Sequence, residues 1–282
     1  MIAITGATGH LGQLTIAALL KRGVPAQNIV ALVRNPAKAA ELEAQGVQVR
    51  QADYRQPETL DAALQGVDKL LLISSNDFED RVGQHRQVVD AAVRAGVKLL
   101  AYTSILRADT SGLALAADHK ATEDLIRASG LPFVFLRNGW YLENYNPAQA
   151  AQYGAVAGSA GEGRVSAASR ADYAEAAAAV LSQPGHDNAV YELGGDEAFT
   201  LGDLAAEVQA QSGRPVVYQN MPEGDYAQML RGVGLPDALA EMLADSDVHL
   251  EKGDLYTDSG DLRRLIGRPT TTLTEGVRAA LQ

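Results

Sequence analysis

Short apolar, β-branched runs punctuate the first half of the chain, at Ile2 to Thr5, Ile29 to Val33, Val47 to Gln51, Lys69 to Ile73, Lys98 to Thr103 and Phe133 to Arg137. Between them apolar residues fall at helical spacing: Leu60, Ala63 and Leu64 follow Pro57 at a first turn, and Val88, Val89, Ala92 and Val93 share one stripe. Strands and helices in alternation build a parallel sheet, and right-handed crossovers put helices on both of its faces. The fold class expected is therefore α/β, a doubly wound parallel sheet whose ligand lies at the carboxyl ends of its strands.

After about Asn144 the alternation weakens. Gly154 to Gly163 reads as a loop with at most one short strand. Ser169-Arg170-Ala171-Asp172-Tyr173 opens an alanine-rich helix with Ser169 as N-cap. Val190 to Leu193 and Val216 to Gln219 predict strands, with Thr200 capping a helix between them, and Tyr226 to Arg231 and Ala238 to Ala244 predict helices whose Met and Leu residues belong to a core. The expected organisation is residues 1–145 as a nucleotide-binding domain and residues 146–282 as a smaller, α+β C-terminal lobe on the substrate side. That lobe would pack on the sheet, contribute partly to it and close a cleft.

Composition narrows the chemistry. With 282 residues, 46% of them hydrophobic, the chain can bury one large core or a core with a smaller lobe. A net charge of -11 repels polyanions, which argues against nucleic acid and anionic membrane as partners. There is no cysteine, so thiolate metal sites and cysteine nucleophiles are excluded, and five histidines without an H-x-x-x-H pair give no metal signal. The apolar start is short, lacks a basic flank and runs straight into a glycine loop, so it reads as a core strand and not as a signal peptide. No run of some 18 apolar residues is present to span a bilayer. A cytoplasmic location follows as the expectation.

The most specific chemistry lies in Gly6-Ala7-Thr8-Gly9-His10-Leu11-Gly12, directly behind the first strand. Gly6 permits a tight turn, Gly9 lets a phosphate approach bare backbone, and Gly12 lets the next helix pack close to the sheet. The helix from about Leu11 to Lys21 would offer free N–H groups to a pyrophosphate. This is the context of an NAD(P)-binding Rossmann fold, although the spacing is G-x-x-G-x-x-G. At the end of the second strand, Ala31-Leu32-Val33-Arg34-Asn35-Pro36 places Arg34 where an NAD-preferring site carries a carboxylate for the ribose 2′-OH. A guanidinium there pairs bidentately with a 2′-phosphate, which favours NADP(H) over NAD; the other reading is a solvated surface arginine. His10 and Asn35 could assist. Asp53 either approaches the adenine edge or forms a plain turn, and Ser74, Ser75 and Asn76 close the fourth strand near the pyrophosphate and nicotinamide ribose.

This layout is similar to the short-chain dehydrogenase superfamily, whose usual members carry a Ser and a Tyr-x-x-x-Lys. Here Lys120 is present, Ser104 keeps the usual strand end, and Ala116 stands where the tyrosine would be. The ordinary tyrosine acid is therefore absent. The motifs Gly6 to Gly12, Val33-Arg34-Asn35-Pro36, Leu71 to Ser75, Ala101-Tyr102-Thr103-Ser104, His119-x-x-x-Glu123, Leu136-Arg137-Asn138-Gly139-Trp140-Tyr141, Ser169 to Tyr173 and Leu265 to Leu273 resemble the atypical, NmrA-like branch of that superfamily, in particular its NADPH:quinone oxidoreductases, with triphenylmethane-dye reductases as near cousins. The resemblance runs nearly end to end. It implies NADPH as cofactor, bound through Gly6, Ala7, Thr8, Gly9, His10, Leu11, Arg34, Ser74, Ser75, Asn76, Asn138, Gly139, Trp140, Tyr141, Leu142, Glu143 and Arg170, with a small-molecule quinone between the nicotinamide and the smaller lobe.

Quinone chemistry suits the missing tyrosine. A quinol hydroxyl has a pKa of about 10, on the order of six units below that of an alcohol, so about 8 kcal/mol less product anion needs stabilising. A cationic dye taking hydride at carbon needs no proton at all. The candidate catalytic residue is His119, which could donate to the quinone oxygen or merely line the pocket. Lys120 lies about 100° around the helix from it and reads as a surface lysine. Trp140, Tyr141 and Phe78 are candidate substrate-pocket aromatics, while His85, His186 and His249 read as surface or turn residues. Two functions stay open: an NADPH-dependent reductase of small quinones, and a non-catalytic NADP(H) sensor that reports to a protein partner. A nucleotide-sugar epimerase or dehydratase would need the tyrosine. The sequence also leaves a homodimer open.

Overall fold

The computed structural model describes residues 1–77 and 79–282. Among the described residues nine strands are formed: β1 Ile2–Ile4, β2 Ile29–Val33, β3 Gln48–Gln51, β4 Lys69–Leu72, β5 Leu99–Ile105, β6 Phe133–Asn138, β7 Ala155–Gly158, β8 Ala189–Leu193 and β9 Val217–Asn220. The α-helices among the described residues are α1 His10–Lys21, α2 Ala40–Ala44, α3 Pro57–Ala63, α4 Arg81–Ala95, α5 Ala114–Ala128, α6 Pro147–Tyr153, α7 Arg170–Ser182, α8 Leu201–Ser212, α9 Glu223–Gly232, α10 Asp237–Glu251, α11 Asp261–Ile266 and α12 Leu273–Leu281.

Seven strands form one sheet in the order β3-β2-β1-β4-β5-β6-β8, and the pairs β2/β3, β1/β2, β1/β4 and β4/β5 are parallel. This is the doubly wound sheet expected from the alternation. Alternate residues of the strands point to opposite faces. Ala3, Val30, Leu70, Leu72, Leu100 and Tyr102 pack with Leu60 and Leu64 around α3 and with Val88 and Ala92 of α4. Ile4, Ala31, Leu71 and Ala101 point the other way and are also buried. On that side α1 packs on α7, a helix so rich in alanine that it is buried nearly all round. Each fully buried Leu or Ile contributes about 1.5–3 kcal/mol of transfer free energy.

β7 and β9 pair in parallel as a second, two-stranded sheet. Thr200 caps α8 with a full capping box, its hydroxyl accepting from the Asp203 N–H while the Asp203 carboxylate accepts from the Thr200 N–H. α10 is longer than the Ala238 to Ala244 helix that the pattern predicts, running on through the buried Ser246 and Asp247 to Glu251. By compactness the described residues divide into two units, one of Met1–Ile105, Asp118–Arg137 and Arg170–Tyr191, the other of Leu106–Ala117, Asn138–Ser169 and Glu192–Gln282. No described helix is long and apolar enough to cross a membrane.

Candidate functional site

In the first unit the strand order reverses between β1 and β4, so the loops leaving these neighbouring strands emerge side by side. The Thr5 hydroxyl accepts from the Ile73 N–H at 2.9 Å and joins the two strand ends. Gly6 has φ +57°, a left-handed conformation open to glycine, and the Gly9 N–H donates to its carbonyl at 2.9 Å. A Cβ on Gly12 would lie 2.4 Å from the Gly6 oxygen and 2.8 Å from the Ala7 Cα, so the loop folds back onto the helix only because Gly12 has no side chain. α1 starts at His10 with no side-chain cap and no acidic residue in its first turn, which leaves its leading amides for an anion. Thr8, His10 and Gln13 line a hollow of about 380 Å³ shared with Lys38 and Glu41.

Ser74, Ser75 and Asn76 follow β4. The Ser74 N–H donates to Thr103 Oγ1 at 2.9 Å. Ser75 is gripped by three residues of α4: its N–H donates to His85 Nε2 at 2.9 Å, its carbonyl accepts from Arg81 Nε at 2.8 Å, and its hydroxyl donates to Gln84 Oε1 at 2.7 Å. Arg81, Gln84, His85 and Val88 recur at helical spacing and are buried together. His85 is thus a correction to its reading as a surface or turn residue. Burial, and then the charge of Arg81, push its pKa down to about 3, so it is neutral. Periodicity at 81, 84, 85 and 88 was the signal that could have found it. His186 and His249 are half-buried, bonded to the Tyr191 hydroxyl and to Asp254 respectively. Asn76 is exposed, and Phe78 lies outside the described residues.

Arg34 directly follows β2, the strand beside β1, and its side chain is exposed and makes no ion pair with another described residue. Asn35 is committed otherwise, since its side-chain oxygen accepts from the Ala37 N–H at 3.0 Å. Asp53 forms a turn: its carboxylate accepts from the Arg55 N–H at 3.0 Å and its own N–H donates to Thr59 Oγ1.

The superfamily's catalytic positions carry other duties here. Ala116 is buried on α5, and Lys120 pairs with Asp124 at 2.5 Å on the surface. The Ser104 hydroxyl donates to Glu123 Oε1 at 2.7 Å, and Glu123 also accepts from Arg137 Nε at 2.9 Å and Nη2 at 2.8 Å. His119 is buried, with Nδ1 2.7 Å from the Tyr102 hydroxyl. Burial, then Arg81 and His85, push its pKa down to about 3, so this imidazole is neutral as well. Its Nε2 has no hydrogen-bond partner among the described residues.

In the second unit, Asn138 to Glu143 is pinned through its backbone. The Gly139 N–H donates to Leu193 O at 2.8 Å, the Ala168 N–H to Trp140 O at 3.1 Å, and the Leu142 N–H to Ala168 O at 3.0 Å. The buried Asn138 Oδ1 has no partner, an orphaned acceptor that a ligand amide would satisfy. Trp140 and Tyr141 are half-buried and Glu143 is exposed. Arg170 belongs to the first unit, as the opening residue of α7.

A second polar cluster in this unit was not anticipated. Asp247 on α10 accepts from the Ser159 N–H at 2.9 Å, and burial pushes its pKa up to about 6. Burial first, with the Asp247 charge adding to it, raises the Tyr145 and Tyr226 hydroxyls too. The buried Tyr145 hydroxyl and Ser159 Oγ lack partners. A folded-state pKa raised above the unfolded value of 3.8 means the native state holds its proton longer, so this group costs stability as pH rises from about 4 through 6. Asp247→Asn keeps the acceptor for Ser159 and is expected to stabilise the protein at pH 7 by on the order of 3 kcal/mol. It should also flatten the dependence of the denaturation midpoint on pH between 4 and 6; an unchanged pH profile would refute the assignment. Among the described residues no cluster of acidic or histidine side chains is arranged to hold a metal ion.

The family described as NAD(P)H-binding matches residues 6–184. Quinone oxidoreductase 2 of Escherichia coli is 57% identical over 279 residues, 98% of this chain and 97% of that protein. A crystal structure of an E. coli NADPH-dependent quinone oxidoreductase complexed with NADPH superposes with a TM-score of 0.98 at 56% identity, covering 100% of both chains. The Citrobacter sp. triphenylmethane reductase complexed with NADP(H) superposes with a TM-score of 0.95 at 42% identity, again over 100% of both.

Proposed function

Since the chain belongs to the NAD(P)H-binding family, we propose that it is an NADPH-dependent oxidoreductase that reduces small quinones. The observation that carries this reading is the 57% identity to a quinone oxidoreductase across nearly the whole of both chains. The residues fit the cofactor. The side-chain-free cradle of Gly6, Gly9 and Gly12, with Ala7, Thr8, His10 and Leu11, receives the pyrophosphate at the uncapped start of α1. Arg34 reads the 2′-phosphate, and Ser74, Ser75 and Asn76 hold the nicotinamide ribose. Asn138 offers its orphaned oxygen to the carboxamide, with Gly139, Trp140, Tyr141, Leu142, Glu143 and Arg170 completing the binding residues.

When bound, NADPH supplies a hydride, two electrons and a proton, and one further proton from water completes the quinol. The chain's own part is to orient and to stabilise. Trp140 and Tyr141 present aromatic faces on which a quinone stacks. His119 is neutral, and losing its remaining proton would leave an imidazolate, so it stabilises the developing phenolate by a hydrogen bond and does not act as the acid. A quinol anion, with a pKa of about 10, needs no more than that. We propose a cytoplasmic location, where NADPH is supplied, and no nucleic-acid partner, since a charge of -11 repels a polyanion.

The test is consumption of NADPH by the purified protein with benzoquinone as acceptor. Saturable turnover yielding one quinol per NADPH is expected. Tight NADPH binding with no turnover of any quinone would refute it and leave a non-catalytic NADP(H) sensor in its place.

A further inference from the structure

We propose that Tyr102 is a positioning residue: its phenol donates to Nδ1 of His119 and so fixes the imidazole as the tautomer that presents an Nε2–H to the acceptor oxygen. This rests on the reading of His119 as the hydrogen-bond donor to the quinone.

The assignment follows from where each buried proton has to go. The Ser75 N–H donates to His85 Nε2, which leaves the His85 proton on Nδ1. That proton is given to Thr122 Oγ1 at 2.9 Å, and the Thr122 hydroxyl proton goes to the Asp118 carbonyl, also at 2.9 Å. Thr122, which also faces the Tyr102 hydroxyl, therefore has no proton to offer it. Tyr102 is fully buried, and the one ring nitrogen within reach of its hydroxyl is His119 Nδ1, at 2.7 Å. The Tyr102 O–H then has two acceptors to choose from, the second lone pair of Thr122 Oγ1 and a bare Nδ1 of His119, and the imidazole nitrogen, much the stronger base and 2.7 Å away, takes it. Burial, which pushes the Tyr102 pKa up, keeps the phenol protonated and donating. The charged groups facing it, Arg81, Glu123 and Asp118, and the edge-on His85 ring at 5.4 Å complete its surroundings. With Nδ1 occupied, the one proton of the neutral ring resides on Nε2, the nitrogen without a partner among the described residues.

The consequence is a bias toward one class of acceptor. A fixed N–H donor helps a molecule whose hydride-accepting carbon is conjugated to an oxygen that gains negative charge, as in a quinone. The same tyrosine, with no contact to cofactor or acceptor, acts only through His119. It holds the ring in place as an orienting carboxylate does for a catalytic histidine elsewhere, but because it donates to Nδ1 where the carboxylate accepts, it fixes the opposite tautomer.

Selective 15N labelling of the histidines, with His119 assigned by its loss in His119→Gln, reads the tautomer in the otherwise unaltered protein. A protonated Nε2 and an unprotonated Nδ1 are expected; the reverse pattern overturns the proposal. In assays with NADPH and benzoquinone, Tyr102→Phe is expected to lower kcat about ten- to a hundredfold while the Kd for NADPH stays within about twofold, and to release His119 into a mixture of tautomers. Wild-type kcat in Tyr102→Phe together with a loss in His119→Gln overturns the positioning role alone. Wild-type kcat in both variants removes His119 from the reaction, and with it the reading on which the proposal rests.

Discussion

Glu123→Ala is expected to destabilise the protein by about 3–5 kcal/mol, the range for removing one partner of a buried ion pair. The Glu123 side chain is 1% exposed and accepts from both the Arg137 fork and the Ser104 hydroxyl. Deleting its carboxylate takes away the acceptor of two hydrogen bonds from a guanidinium that is itself only 6% exposed. A domain's whole stability is on the order of 5–15 kcal/mol, so the loss is a large share of it. The pair need not be a net gain over an apolar core, and the double variant Glu123→Leu, Arg137→Met is expected to recover most of what the single one loses. Urea denaturation midpoints check both statements. A midpoint for Glu123→Ala within error of the parent would show that Arg137 finds another partner. The same contacts explain why Ser104 is no remnant of the superfamily's catalytic serine: its hydroxyl proton is already committed to Glu123.

Arg34→Glu is expected to weaken NADPH binding about 10²- to 10³-fold and to leave NADH binding nearly unchanged or slightly improved. The loss combines a charge-assisted hydrogen bond, about 1.5–3 kcal/mol, with repulsion between two anions. The gain for NADH comes from a carboxylate that can accept from a ribose 2′-OH. Because a phosphate's second pKa is about 6, the preference of the unaltered protein for NADPH should narrow as pH falls below that value. Titration calorimetry with each nucleotide at pH 7.5 and 5.5 measures all of this. Equal losses for both nucleotides would remove Arg34 as the reader of the 2′-phosphate.

Much of the fold is legible from local pattern, and the departures have a common cause. Five of the six leading strands stand out because both faces of each are covered, which turns a strand into a continuous apolar run, whereas the edge strand β3 is only half-buried and carries polar residues. The glycine loop is legible because Gly6 and Gly12 do things no other residue can do there, one by its positive φ and the other by the space it leaves. What escaped was polar groups inside the protein. His85 read as surface because histidine is ambivalent, yet it lies on the stripe that continues to Val88. Asp247 escaped because burying a carboxyl costs free energy, and nothing local announces that Ser159, 88 positions away, donates to it. The link from Tyr102 to His119 joins a strand to a helix, and sequence spacing carries no record of such a contact.

The alanines of α7 have a further consequence. α7 lies against α1, and Ala174, Ala176, Ala177, Ala178 and Ala179 are all at most 1% exposed. Methyl groups on nearly every side act as a spacer of fixed thickness beneath the helix that carries the glycine loop. Adding even two carbons at one of these positions must displace a packed neighbour, and α1 is among the nearest. Variation in α7 is therefore constrained by the geometry of a loop more than 150 residues upstream.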